Sequence, residues 1–499
     1  MKSVEHKNSH LAHFTVQGAE HAGMLILDGT KSKLEIYADE FLHIPAEQMK
    51  RVIGVSRDGV RITGVNCVGA EVGGTSTYYG TKRHYISMFP NFVVFGPRHL
   101  NPEEAEISAL TFSFSQANQL FYDWGTFGHI LRKHKLSFGL LREILKYVKS
   151  SPKKRRRGGW LDLYFHWERG PIIEIKNALG TIKAVSATSS SMPSPSGIRV
   201  QSKVMVHVDF ASPCTFEAVL RAQYILMLFF ELVSQSRQNV EEIALTHKDA
   251  VQEEPLKVYI SHDEHEELGS LQPTDVLVSG GLHSEEFEVT LNTWLETYDA
   301  RGGARRRFVE GFRHGYSYDV DRLIGAANAF DLLPAADFGE ATALPADVEA
   351  LVAECEKHVN DGAAASKAIL EYKERLLNMF GLVRSLNLRR KVLLRYATLP
   401  GELTSWLPEM ENMIAHSIRA RNFFVHGTST KFSAEALYTH APFFTDTLEF
   451  IFATSELQLC GWNSKRWAKE SFSSSRLKWY ISNYKENAKR VIESLEGGS

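Results

Sequence analysis

The chain has 499 residues, with 57 Lys and Arg against 59 Asp and Glu, for a net charge of −2. At 43% hydrophobic, 11% aromatic and 23% charged it has an ordinary globular composition, long enough for about two to four domains, which excludes a disordered or collagen-like chain. The near-neutral balance also excludes a chain that is basic throughout, so any nucleic-acid contact must use a local patch.

Behind the N-terminal Met1–Lys7 there is no apolar core, so this stretch does not read as a secretory signal. The first region then reads as β. Gly23–Leu27 and Lys33–Tyr37 alternate apolar and polar residues around Asp28-Gly29-Thr30, a hairpin signal. Short strands are expected at Arg51–Val55, Arg61–Val68, His84–Phe89, Asn91–Phe95 and Glu106–Phe114, punctuated by glycines. That pattern predicts a sandwich or partly closed barrel. Residues 131–157 form a basic segment, eleven Lys and Arg against the single acid Glu143, with Leu140, Leu141, Ile144, Leu145 and Val148 at helical spacing. Lys153, Lys154, Arg155, Arg156 and Arg157 sit beyond that helix, beside Pro152 and Gly158, and read as a loop.

Strands return at Trp160–Trp167, Pro171–Lys176 and Lys203–Phe210, with Ser186–Gly197 expected as a Ser- and Pro-rich surface loop. Phe216–Val233 is an apolar helix without a polar face, and Leu256–Ser261 is a last strand. Its run Tyr224–Phe230, the longest apolar stretch, falls far short of the ~20 residues that span a bilayer. Cys67, Cys214, Cys355 and Cys460 lie far apart without zinc or redox spacing and read as reduced thiols. A soluble cytoplasmic protein is the expectation, without cofactor or membrane partner.

From Ser284 the pattern turns helical. Helices are expected at Glu285–Asp299, Ala304–Arg313, Val320–Leu332, Ala346–Asn360, Ala364–Phe380, Leu388–Tyr396, Ser405–Phe424, Phe444–Cys460 and Ser464–Leu495, with Pro345 and Pro408 in first turns. The fold class is therefore α+β: a β-rich region over 1–280 with a basic insert at 131–157, then an all-α bundle over 285–499. No internal repeat and no Gly-rich phosphate loop of the P-loop or dinucleotide type appears.

The sharpest feature for chemistry is Arg421-Asn422-Phe423-Phe424-Val425-His426-Gly427, at the end of an amphipathic helix that Gly427 stops. A guanidinium there can bind phosphate through its planar fork, and an imidazole five positions on can move protons near neutral pH. Spacing alone is weak. Composition predicts roughly four Arg–His pairs at such separations, and three occur: Arg421–His426, Arg419–His426 and Arg307–His314. The bland alternative is a capped helix end with Arg in a surface ion pair. What distinguishes Arg421–His426 is Asn after the Arg, Gly after the His, and a late position in a helical domain.

Arg421–His426 resembles the Arg-Asn-x-x-x-His signature of HEPN domains, helical bundles of which many are metal-independent ribonucleases. Asp321–Phe330 and Ser385–Leu394 are similar to one branch, the ApeA-type HEPN domain. Gly23–Leu27, Gly59–Cys67 and Ile107–Trp124 resemble that branch's own N-terminal domain. The resemblance implies a bacterial anti-phage effector acting by abortive infection. It would be an endoribonuclease that cleaves cellular RNA, tRNA among the candidates, and stops translation. It would work as a homodimer or larger homo-oligomer and answer a phage-derived trigger. It also implies roles: His426 as general base or acid, Arg421 stabilising charge on the phosphate, Asn422 orienting His426 or the phosphate, no metal, and products with 2′,3′-cyclic phosphate and 5′-hydroxyl ends. One departure stands out. The family's first helix often carries Glu after an Ala-Leu pair, where this chain reads Ala326-Ala327-Asn328.

Two further readings concern RNA. Lys153, Lys154, Arg155, Arg156 and Arg157 can grip a phosphate backbone, with Tyr147, Trp160 and Tyr164 near enough in sequence to stack bases, against the plainer reading of a solvated loop. Arg389 and Arg390 have the better claim among the helical arginines. The rest, Arg301, Arg305, Arg306, Arg307, Arg313, Arg384 and Arg395, are expected in helix-surface ion pairs. His262–His265 has metal-like spacing but loop-like flanks, and Ser189–Ser191 lacks a nucleophile elbow. The competing reading of the whole chain is a non-catalytic protein whose bundle dimerises or binds a ligand and whose β region binds a partner.

Overall fold

The computed structural model describes residues 8–40, 42, 48–76, 82–123, 127–132, 160–165, 170–191, 199–261, 271–314, 317–342, 344–384, 386–428, 432–470 and 474–496. Six strands come first: β1 (Asn8–Val16), β2 (Ala19–Leu27), β3 (Lys33–Ala38), β4 (Arg51–Ser56), β5 (Arg61–Ser76) and β6 (Lys82–Gly96). They pair antiparallel in the order β6-β3-β2-β1-β4-β5, and β5 returns to β6, so the six close into a barrel. Closure removes the open edges that a sheet would otherwise expose. Phe14, Leu25, Ile36, Ile62, Ile86 and Met88 fill it.

The expected strands His84–Phe89 and Asn91–Phe95 are one strand, β6, running through Pro90. Proline cannot donate to a ladder. On one edge β6 pairs with β3 over His84–Met88 and with β14 (Leu256–Ile260) over Phe92–Phe95, so Pro90 falls in the gap between the two partners. Opposite Phe89 and Met88, β5 skips a residue between Val68 and Ala70, and the extra residue is Gly69 at φ +68°. This is a glycine bulge that bends the long pair.

From β6 the sheet continues through β14, β13 (Val240–His247), β7 (Ile107–Phe114), β12 (Val200–Cys214), β11 (Gly180–Ser190) and β10 (Ile173–Asn177). A short helix, α1 (Ala117–Leu120), follows β7, and β8 (Phe127–Arg132) and β9 (Trp160–Phe165) form a separate pair. The loop expected from Ser186 begins later: Thr188, Ser189 and Ser190 pair with Ser202, Gln201 and Val200. Hydroxyl side chains sit comfortably on the polar face of a strand, which composition alone does not reveal.

The helices follow as α2 (Phe216–Ser234), α3 (Ser284–Glu296), α4 (Tyr298–Val309), α5 (Val320–Asp331), α6 (Ala346–Ala365), α7 (Lys367–Arg384), α8 (Leu388–Ala397), α9 (Gly401–Thr404), α10 (Met410–His426), α11 (Ala434–Leu459), α12 (Ser464–Lys469) and α13 (Arg476–Glu496). Pro408 lies outside α10, which starts after Glu409 in a left-handed conformation, φ +59°. The chain groups into two compact units. One is Met1–Glu217, Val240–His265 and Ser279–Ser284; the other is Ala218–Asn239, Glu266–Val278 and Glu285–Ser499. Most of α2 therefore counts with the helical unit, where Phe229 packs against Phe287 at 5.4 Å and Trp294 at 5.6 Å. Among the described residues no helix is long and apolar enough to cross a membrane.

Candidate functional site

Helix α10 buries Met413, Ile414, Ser417 and Ile418 and packs against α5, α8 and α11. Its end is set by Gly427, at φ +64°, whose N–H donates to Phe423 O at 2.8 Å. A side chain at that φ is strained, so glycine here both stops the helix and leaves its last turn open to solvent. His426 and Val425 are exposed, while Arg421 and Asn422 are half-buried.

Arg421 is held from two sides. Nη2 donates to Asn328 Oδ1 on α5 at 2.9 Å, and Nη1 donates to Asn422 Oδ1 at 3.1 Å. Nη1 also stands 3.5 Å from His426 Nε2. Nε is buried without a hydrogen-bond partner. Both acceptors are neutral carboxamides, and among the described residues no carboxylate pairs with this guanidinium. Its full charge is thus kept beside an exposed imidazole. One turn before Asn328 on α5, the Arg307 guanidinium lies over Gly325, where a Cβ would meet Arg307 Cζ at 3.5 Å. The group formed by Arg421, His426, Asn422 and Asn328 can bind an anion and transfer a proton at one place.

The sequence named Arg421, Asn422 and His426, and the fold brings them together. Asn422 reaches Arg421 rather than His426. Asn328 was visible only as a departure from a family pattern; its contact with Arg421 spans two helices and leaves no local trace in the sequence. Arg389 and Arg390 are exposed in the first turn of α8, and among the described residues neither side chain contacts Arg421 or His426. Lys153, Lys154, Arg155, Arg156 and Arg157 lie outside the described residues, as do Tyr147 and His262–His265. Among the described residues no group of three or more His, Cys, Asp or Glu is placed to hold a metal ion.

Among the other helical arginines Arg307 keeps the expected surface pair, with Glu310 at 3.3 Å, while three depart from it. Arg301, Arg305 and Arg395 are buried around Glu456, itself 0% exposed. Glu456 Oε1 accepts from Arg301 at 2.6 Å and Arg395 at 2.7 Å, and Oε2 accepts from Arg305 at 3.0 Å. Asp337 pairs with Arg301 and, at 3.5 Å, with Arg395. Burial pushes the Asp337 carboxyl up and the Arg395 guanidinium down from their ordinary values. A second buried pair joins Arg322 to Glu449 through two bonds of 2.7 and 2.8 Å. Beside it, Asp446 accepts from Tyr318 at 2.7 Å, and burial raises its pKa to about 7. Arg384 does behave as expected, pairing with Glu349 at 2.9 Å and with Glu356. Charged residues so thoroughly buried are paired because an isolated charge in that environment is prohibitive, and they brace the bundle rather than face a ligand.

No curated protein and no solved structure matches the chain. A family model does: ApeA N-terminal domain 1 matches residues 13–294, from within β1 to within α3. The match takes in the barrel from the middle of β1 onward together with its sheet extension and covers more than half of the sequence, and on that ground the chain belongs to the ApeA family.

Proposed function

We propose that the chain is a metal-independent endoribonuclease of the HEPN type, working in anti-phage defence, to which membership of the ApeA family points. The observation that carries the reading is an uncompensated Arg421 guanidinium 3.5 Å from His426 Nε2 at an exposed helix end. That separation lets one phosphate touch both groups. Arg421 binds the phosphate oxygens and stabilises the charge that builds on them. His426 takes the proton from the RNA 2′-hydroxyl while its oxygen attacks phosphorus, or returns a proton to the 5′-oxygen as the P–O5′ bond breaks. Paired in a homodimer, two such imidazoles serve as base and acid together. Every atom of the products comes from the RNA, which leaves a 2′,3′-cyclic phosphate and a 5′-hydroxyl. Cellular RNA, tRNA among the candidates, is the substrate, and a phage-derived trigger releases the activity.

End-group analysis of cleaved RNA tests the chemistry. The reading predicts 2′,3′-cyclic phosphate and 5′-hydroxyl ends; 3′-hydroxyl ends with a strict magnesium requirement contradict it. In cells, overexpression of the native chain should arrest growth and the Arg421→Ala chain should not. Equal growth arrest by both speaks against catalysis at this site.

A further inference from the structure

Tyr438, in the second turn of α11, is 62% exposed, and its ring stands 5.1 Å from that of Phe424. Phe424 is braced in turn by Phe423 at 5.4 Å. Phe424 lies three residues beyond Arg421 on α10, so the two share a helix face. Val425, 40% exposed, separates it from His426. Running across this end of the bundle there is thus an open aromatic ring, its aromatic support, a guanidinium without a carboxylate, and an imidazole. Among the described residues the Tyr438 hydroxyl has no hydrogen-bond partner, so no polar contact explains why the ring is held in the open.

The order of these groups suits one ligand chemistry. A base in a duplex is already stacked on its neighbours and shows only its edges to a protein. An unpaired base offers its π-face, and an aromatic ring beside a cation that takes the adjoining phosphate is how such bases are held. We infer that Tyr438, supported by Phe424, is the platform on which this site stacks an unpaired base of its RNA substrate. The inference rests on the nuclease reading and adds a base-binding residue to it.

The test is RNA binding by the full chain carrying His426→Ala, so that substrate survives, measured with a labelled unstructured RNA and with the same strand annealed to its complement. Added Tyr438→Ala should weaken binding of the unpaired strand roughly 5- to 150-fold and leave duplex binding unchanged. Added Tyr438→Trp should keep the affinity of the parent. Tyr438→Ala binding as tightly as the parent overturns the platform, as does a loss in the Trp variant equal to that in the Ala variant. A separate arm keeps the two readings apart. If Arg421→Ala cleaves like the native chain, the nuclease reading fails; if it is inactive while Tyr438→Ala binds unpaired RNA normally, only the platform fails.

Discussion

Arg421 is held by two carboxamide oxygens, Asn328 Oδ1 at 2.9 Å and Asn422 Oδ1 at 3.1 Å. A carboxylate at position 328 would pair with the guanidinium through its fork and compete with an incoming phosphate. Asn328→Asp should therefore lower RNA affinity without unfolding the protein. It should also flatten the dependence of log K on log salt by about 0.7, the share of one lost phosphate contact on a single strand. Binding isotherms over a salt series check this, and an unchanged slope refutes it. Gly427 is the other residue where one atom decides. Gly427→Ala forces a side chain into the left-handed region and should cost about 1 kcal/mol of stability, read as a lowered Tm. At this scale the sequence was informative where the signal is local: Arg421, His426 and the stop at Gly427 lie within seven residues. Asn328 and Tyr438 meet α10 from other helices, so Asn328 showed only as a departure from a family pattern and nothing around Tyr438 marks it.

Helix α11 carries the charge that the bundle must bury. Glu456 serves three arginines from its C-terminal half, and Asp446 and Glu449 answer Tyr318 and Arg322 from its middle. Glu456→Gln leaves three buried guanidinia short of a counter-charge, and a loss of about 3–5 kcal/mol is expected by denaturant unfolding. Asp446 gives a pH signature. Its folded pKa of about 7 lies above the ordinary carboxylate value of 3.8, so between the two the folded state binds the extra proton. Its contribution is fully present below about pH 4 and is lost as pH rises through about 7. Asp446→Asn keeps the acceptor for Tyr318 and removes the ionisation. The variant should be stabler than the native chain above about pH 7, with the difference vanishing below about pH 4. A stability difference that does not change with pH contradicts the assignment. Helical periodicity located α4, α5, α8 and the C-terminal part of α11, but not the fate of the arginines on the first three, because their buried partners Glu449 and Glu456 lie some sixty to 155 residues away in sequence.

Across the whole molecule, the β-rich region and the helical region were legible from alternation and from 3.6-residue periodicity. Barrel closure was not, because it depends on β5 pairing along the length of β6. β1 escaped notice since its inward Ala12, Phe14 and Val16 are interleaved with Leu11, His13 and Thr15, which blurs the alternation. Pro90 split β6 on paper, though the gap between β3 and β14 accommodates it. α2 reads as a helix from its composition, yet its place with the helical unit comes from Phe229 meeting Phe287 and Trp294, a contact made about sixty residues away in sequence. The central claim, that the Arg421–His426 end of α10 cuts RNA without a metal, is tested most directly by incubating cellular RNA with the purified full chain in EDTA, beside His426→Ala. Activated chain is the fair subject, so the reaction is run with and without lysate from infected cells. Cleavage by the native chain, reduced by about 100-fold or more in His426→Ala, is the predicted result. Cleavage that persists undiminished in His426→Ala, or that EDTA abolishes, contradicts the account.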